Sequence, residues 1–368
     1  DIILHGSSIE GVRGTQVGSF FFLQNFPWLD LTLLDQYYVD QHLLYHVLLI
    51  PFVRAFGMLW GAQVGAVIFS AGFIAIFYAV LRWLRVQNTM VWALLTLFCV
   101  PLAFRLSLVK ATPLALMAFV VGMGAVLQAG GWRREAGEEE SGRAWRFEGG
   151  GLLAGFIFSL VHGGWMMLLL MQGIFVFGTW LFKIVIERRR VAFRDEWSRV
   201  SVIVATMAGI FLGLCLHPNR ANVFEFLKVQ VFQVAVITPG NISLGLEWTP
   251  VKVGEFFGNM GPLFIAACVV ILGCVFALRR PLDMKLARGA FGLGVVVCAL
   301  TVLVFKSSRM LEYFVPMFVL WLATLWSLID IRVFWLEVKA HFESLLSLRQ
   351  RRLFTSLLIV LFCALFVH

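Results

Sequence analysis

A chain of 368 residues with 60% hydrophobic and only 14% charged positions is not a soluble globular domain, because such domains carry about a quarter charged residues. The mean hydropathy of +0.88, with 13 Trp and 36 Phe, fits a protein bathed in lipid and ringed by aromatic girdles. The formal charge of +9 does not indicate a nucleic-acid partner, since the Lys and Arg sit in short loops between apolar runs and form no basic stripe.

The opening residue is Asp1 and the first stretch is polar, so a preceding signal anchor or first span is expected. Residues 1–42 are too interrupted by Gly, Pro and Asp to cross a bilayer. Within them Ser19–Phe26 reads as a short interfacial helix stopped at Pro27. The stretch that follows, 30–51, gathers Asp35, Asp40, His42 and His46 with Tyr37, Tyr38 and Tyr45 at the mouth of an apolar run. Ionisable groups at a membrane edge are costly and point to a functional site. An interfacial belt of Tyr, His and Asp is the alternative. The run from His42 to Gly57 holds Pro51 and Arg54 and is shorter than the ~20 residues of a full span, so a kinked or half-embedded helix is expected.

Further spans are predicted at 62–81, 89–104, 112–129, 151–161, 165–182, 200–216, 262–278, 289–305, 311–328 and 353–367. The expected fold is therefore an all-α polytopic membrane protein with about ten transmembrane helices plus the half-embedded one. It divides into an outer first segment (1–61), a first bundle (62–216), a long outer loop (217–261) and a second bundle (262–368). All six cysteines (Cys99, Cys215, Cys268, Cys274, Cys298, Cys363) fall in or beside apolar segments, with no CxxC pair. They read as small buried hydrophobes and imply neither a disulfide framework nor a zinc site.

Alternating the spans sorts the loops into two groups. One holds Arg82 and Arg85 with 130–150, 183–199, 279–288 and 330–352, and carries 21 of the 30 Lys and Arg. That bias assigns it to the cytoplasm. In this group 130–150 reads as a solvated linker, Arg188–Arg190 as topology anchors, and Lys339–Arg352 as a surface helix on anionic headgroups. On the outer side Arg105 and Lys110 flank a short turn, and His162 interrupts an apolar hairpin. Lys306 and Arg309 precede the span that holds Pro316. Cations there run against the topology bias and invite an anion, for which phosphate is suited to an Arg fork. Each would otherwise snorkel to headgroups. In the long loop, Asn222–Val236 suits an interfacial helix and 238–245 is rich in turn formers. Glu247 and Trp248 then form either a sugar contact or an anchored surface pair.

The order of these parts resembles the GT-C superfamily of membrane glycosyltransferases, which includes protein O-mannosyltransferases, lipid A aminoarabinose transferases and the catalytic subunits of oligosaccharyltransferases. The similarity lies in Asp35-Gln-Tyr-Tyr-Val-Asp40-Gln-His42-Leu-Leu-Tyr45-His46 running on to Pro51 and Gly57, in Arg105 through Lys110, and in Gly151-Leu-Leu-Ala-Gly155 through His162. It continues in His217-Pro218-Asn219-Arg220 and in Arg309-Met-Leu-Glu-Tyr313-Phe-Val-Pro316. The resemblance covers most of the chain as an ordered set of weak motifs. It implies a sugar donor on a polyprenyl phosphate or diphosphate, an acceptor that is a protein, lipid or glycan, and inverting transfer at the outer leaflet.

Asp35 or Asp40 would act as base or acceptor positioner. His42, His46, Arg105, Lys110, His162, Arg220, Glu247, Lys306, Arg309 and Tyr313 would bind substrate and phosphate. The chain departs from the family in showing no outer Asp-x-Asp or Asp-x-Glu pair, so the sequence does not support a divalent cation. It also lacks the large soluble C-terminal domain of oligosaccharyltransferases and the first span after which the family's catalytic acid lies. The expected location is a bacterial cytoplasmic membrane with the site facing the periplasm. A transporter or flippase of lipid-linked substrates is the reading from a different class.

The 21-to-9 division of basic residues predicts that 217–261 lies outside and 130–150 inside. An impermeant thiol reagent applied to intact cells is expected to label Ser243→Cys and to leave Ser141→Cys unlabelled. The reverse pattern would invert the topology.

Overall fold

The computed structural model describes residues 39–131, 144–228, 249–277 and 283–329, with 16–17, 20–21 and 336 besides. Gln16–Val17 (β1) pairs antiparallel with Phe20–Phe21 (β2). Phe20 and Phe21 are thus extended, where a short helix was expected. Aromatic residues favour the pleated surface, which here outweighs the helical pattern. Every other described element is helical.

The helices run α1 (Leu43–Phe56), α2 (Met58–Trp83), α3 (Thr89–Leu95), α4 (Val100–Ser107), α5 (Thr112–Ala129), α6 (Ala144–Val161), α7 (Met166–Val185), α8 (Trp197–Leu216), α9 (Val223–Lys228), α10 (Val253–Asn259), α11 (Gly261–Ala277), α12 (Met284–Lys306) and α13 (Leu311–Trp326). Five of them, α2, α5, α7, α8 and α12, are long and apolar enough to cross a membrane, and seven spans result if each bent pair counts as one. The chain is a membrane-embedded helical protein. Its surface carries Leu59, Phe104, Phe211, Ile265 and Val302, all exposed, a degree of apolar exposure that water-soluble monomers rarely show.

The expected spans map onto this set unevenly. The run at 112–129 coincides with α5. The run at 89–104 is not one rod but α3 and a 3-10 turn meeting α4 at 82°, and α10 meets α11 at 77°. Pro101 and Pro262 lie at the second position of α4 and α11, where a missing N–H costs nothing and a new helix can begin. The runs at 151–161 and 311–328 are helical as α6 and α13. Arg146 and Glu148 lie in the early turns of α6, and α13 has 16 residues, so neither meets the length and apolarity of a span. The run at 353–367 and the segment Lys339–Arg352 lie outside the described residues. The linker expected over 130–150 is helical from Ala144 onward.

Helix α1 has 14 residues, about 21 Å at 1.5 Å per residue, against a hydrocarbon core of ~30 Å. It is the short element expected there, with Pro51 inside it. It folds back along α2, and its Phe52 backbone would meet a Cβ added at Gly61. The cysteines do not all behave as buried hydrophobes: Cys99 is buried, while Cys215, Cys268 and Cys298 are exposed on apolar helices, where lipid accepts a thiol as readily as a core does.

Helices α6 and α8 pack backbone to backbone. A Cβ at Gly155 would strike the Thr206 carbonyl, one at Gly209 the Leu152 carbonyl, and one at Gly213 the Ser159 hydroxyl. Small residues four apart on both helices permit this approach, the usual way membrane helices associate without a hydrophobic drive. Gln172 of α7 ties α5 to α8, donating from Nε2 to the Gly122 carbonyl at 3.0 Å and to Thr206 Oγ1 at 3.2 Å.

The two ends of the bundle differ in chemistry. At one end Lys183 and Arg199, both buried, pair with buried Glu196, and Arg288 pairs with Glu187. Asp283 caps α12, accepting from the backbone N–H of Lys285 at 2.9 Å and of Leu286 at 3.2 Å. Part of the basic segment 183–199 is therefore a buried ion cluster joining α7 to α8. Arg188, Arg189 and Arg190 stay exposed, as topology anchors do.

The glycine contacts generate a prediction. Alanine at an open helical glycine raises helix stability by roughly 0.5–1 kcal/mol, and Gly173 has open space around it. Overpacking costs about 1–3 kcal/mol, so Gly155→Ala and Gly209→Ala are expected to lower the thermal midpoint in detergent while Gly173→Ala leaves it unchanged or raises it. Equal midpoints for all three would show that α6 and α8 do not touch there.

Candidate functional site

At the other end of the bundle, four segments distant in sequence meet in one polar cluster. Asp40 and His42 precede α1 and His46 lies in its first turn. His162 ends α6, His217 and Asn219 follow α8, and Arg309, Glu312 and Tyr313 open α13.

Asp40 is the centre of this arrangement and is 6% exposed. Its backbone is held from the α8 side. The His217 ring accepts at Nδ1 from the Asn219 N–H at 3.1 Å, which leaves the proton on Nε2 to be donated to the Asp40 carbonyl at 3.0 Å. The Asp40 N–H reaches Asn219 Oδ1 at 3.5 Å. Its carboxylate faces the start of α1, accepting the His42 N–H at Oδ1 (3.0 Å) and His46 Nδ1 at Oδ2 (2.8 Å). The side chain thus closes a turn on the His42 N–H just before α1 and also partners His46. Burial is the largest influence on this carboxyl and pushes its pKa up. The His46 hydrogen bond and charge, with the His42 N–H, together outweigh burial and hold it below the usual carboxylate value.

His42 donates from Nδ1 to the Val161 carbonyl at 2.7 Å, so the last turn of α6 fixes the ring. Its centroid lies 6.3 Å from His46 and 5.8 Å from His162, making a row of three imidazoles. His162 stacks on Phe158 at 5.9 Å and faces Arg309 Nη2 from Nε2 at 2.8 Å. Its Nδ1 meets the Gly164 N–H at 2.8 Å and the Tyr313 hydroxyl at 3.5 Å. Burial lowers the pKa of His42, His162 and His217, and for His162 the Arg309 charge lowers it further. All three are neutral at pH 7. Behind them Arg105 Nη1 pairs with buried Glu312 Oε1 at 3.3 Å. The end of the long loop returns to the same place, with the Ser308 N–H donating to the Thr249 carbonyl at 2.9 Å.

An apolar groove of about 570 Å³ adjoins this cluster, lined by Trp165, Leu169, Ile210, Phe211 and Leu214 with Arg220. Trp165 lies within one turn of His162, and Arg220 within one turn of His217, so the groove lies at the same end of the bundle as the polar cluster. Among the described residues, no group of three or more His, Cys, Asp and Glu side chains is arranged to hold a metal ion.

Of the residues predicted from sequence, Asp40, His42, His46, His162, Arg309 and Tyr313 come together, and Arg105 joins them through Glu312. Lys110 and Lys306 are exposed at the same end. Arg220 is exposed on the groove rather than among the imidazoles. Asp35 and Glu247 lie outside the described residues. Sequence reading gave no role to His217, Asn219 or Glu312. The signal for Glu312 was its position as a lone carboxylate at the head of an apolar run, where an unpaired charge is costly. No protein-family model matches the chain, and no characterised protein matches it.

A histidine whose pKa is depressed on folding binds fewer protons folded than unfolded. Its stabilisation is complete above the unfolded value of about 6.5 and declines as pH falls below it. The Asp40 contribution has the opposite origin and is lost only in far stronger acid, as pH falls from about 3.9 through the depressed folded value. The thermal midpoint in detergent is expected to drop between pH 7.5 and 5.5, with a shallower drop in His162→Gln. A flat wild-type profile would contradict the buried neutral imidazoles.

Proposed function

We propose that the protein is an inverting membrane glycosyltransferase of the GT-C type. It moves a sugar from a polyprenyl-phosphate carrier to a hydroxyl-bearing acceptor at the outer leaflet. The observation that carries the reading is the convergence of Asp40, His42, His46, His162 and Arg309 on one end of a lipid-embedded bundle, beside an apolar groove. Displacement of a sugar from a phosphate needs a group to take the acceptor proton, donors for the charge developing on the departing phosphate, and a path for the isoprenoid tail. The Asp40–His46 pair, the Arg309–His162 pair and the groove answer these needs in turn.

The Arg309–His162 contact favours an anion in particular. Gly164 presents an N–H to Nδ1 and Arg309 presents one to Nε2, yet a neutral imidazole accepts at one nitrogen only. With Nδ1 accepting, Nε2–H and the guanidinium are two donors side by side, an arrangement that a phosphate oxygen in contact with both would stabilise. Arg105 reaches the same end through its ion pair with Glu312, whose carboxylate balances its charge.

Purified protein in detergent or vesicles is expected to transfer radiolabelled sugar from a synthetic polyprenyl-phosphate donor. Loss of one charge-assisted contact costs about 1.5–3 kcal/mol, so Arg309→Ala is expected to weaken donor binding roughly tenfold or more. Arg188→Ala, an exposed position at the other end, is expected to leave it unchanged. Equal effects from the two would deny Arg309 a place at the site. The breaks of 82° and 77° are features that transporters also use around a substrate path. Counterflow of the lipid-linked sugar without any transfer would favour that second reading.

A further inference from the structure

The acidic residue at the centre of the cluster is poorly placed to take a proton from a substrate. Asp40 is 6% exposed against 25% for His46, and each carboxylate oxygen already accepts a hydrogen bond, one from the His42 N–H and one from His46 Nδ1. A carboxylate is only an acceptor, so the hydrogen in the His46 contact belongs to Nδ1. In the neutral ring this leaves the Nε2 lone pair on the more accessible member of the pair. A buried carboxylate that fixes an imidazole through Nδ1 and balances the charge it acquires is the arrangement by which histidine bases are oriented in unrelated hydrolases.

We infer that His46 Nε2 is the general base of the transfer and that Asp40 is its positioning residue. The assignment rests on the glycosyl-transfer reading above. In the step, the acceptor hydroxyl oxygen forms a bond to the anomeric carbon, and the bond from that carbon to the phosphate oxygen breaks. Its electron pair leaves with the polyprenyl phosphate, and the hydroxyl proton passes to His46 Nε2 and then to water. The charged and titratable groups around His46 are Asp40, Tyr45 beside it on α1 and the row formed by His42, His162 and Arg309. Base and phosphate-facing cation therefore stand at opposite ends of the imidazole row, as attack from one side of a sugar and departure from the other requires. His217 keeps Asp40 in register through its backbone carbonyl, so the pair is fixed to α8 as well as to α1.

The discriminating variant is His46→Asn, whose side-chain amide can still donate to Asp40 but offers no basic nitrogen. General-base catalysis contributes about 10²–10⁴-fold, so kcat is expected to fall at least about a hundredfold with donor affinity unchanged. In His46→Gly, added imidazole is expected to restore part of the rate, a recovery that a folding defect would not show. Asp40→Asn is expected to keep a measurable rate, with kcat reduced and donor affinity unchanged, because the ring has lost the carboxylate that fixes it through Nδ1. If His46→Asn transfers sugar at close to the wild-type rate while Asp40→Asn is inactive at every pH, Asp40 itself is the base and the assignment is overturned. Absence of transfer and of donor binding in the wild-type protein would instead overturn the functional reading, and the base with it.

Discussion

The contact of α6 with α8 through facing glycines is the constraint on which the site depends. Once Gly155 and Gly209 bring the two backbones together, the C-terminal ends of both helices emerge side by side. Val161 and His162 then stand next to His217 and Asn219 without any loop having to hold them there. The segment before α1 docks on that double end, His42 on the Val161 carbonyl and Asp40 on the His217 ring. Arg309 arrives from α13 to complete the cluster. A side chain at either glycine would part the helices by more than a hydrogen bond can stretch, so packing inside the bundle sets the geometry of the chemistry at its end.

The protein buries charge at both ends for different reasons. Lys183, Glu196 and Arg199 form a group paired by charge, to which backbone adds contacts such as the Gly130 carbonyl at 3.4 Å from Arg199 Nη2. Such clusters fix which helix faces meet, and removing one member strands the others in a low-dielectric interior. The cluster at the other end is built from imidazoles, the Asp40 and Glu312 carboxylates and the Arg105 and Arg309 guanidiniums. Neutral rings carry a smaller desolvation cost than charged ones. The Lys183–Glu196–Arg199 cluster suits anchoring.

The helices were legible because lipid demands long apolar runs, and α5 coincides with its predicted run residue for residue. The bends were not, since an apolar count treats 89–104 as one run, although Pro101 marks where the second helix starts. The cluster was half legible. Asp40, His42, His46, His162 and Arg309 are conspicuous in an apolar background, whereas Glu312 is easily passed over between Leu311 and Tyr313. His217 and Asn219 were quoted without a role because their work is done through ring and backbone atoms that no spacing rule exposes. The sequence offers Asp35 or Asp40 as base or acceptor positioner. That both Asp40 oxygens are occupied is visible only in three dimensions, and it is the observation on which the proposal for His46 rests.

The His217 tether grips a main-chain oxygen of residue 40 and leaves the side chain alone. Shape and charge at this position are therefore specified by different residues. Any amino acid at 40 offers the same carbonyl to His217, so this tether survives a change of side chain although the contacts to His42 and His46 do not. A lineage descending from this chain could exchange the carboxylate by one codon change and still keep the tether. A change at 217 would release the loop while leaving every reactive group in the sequence.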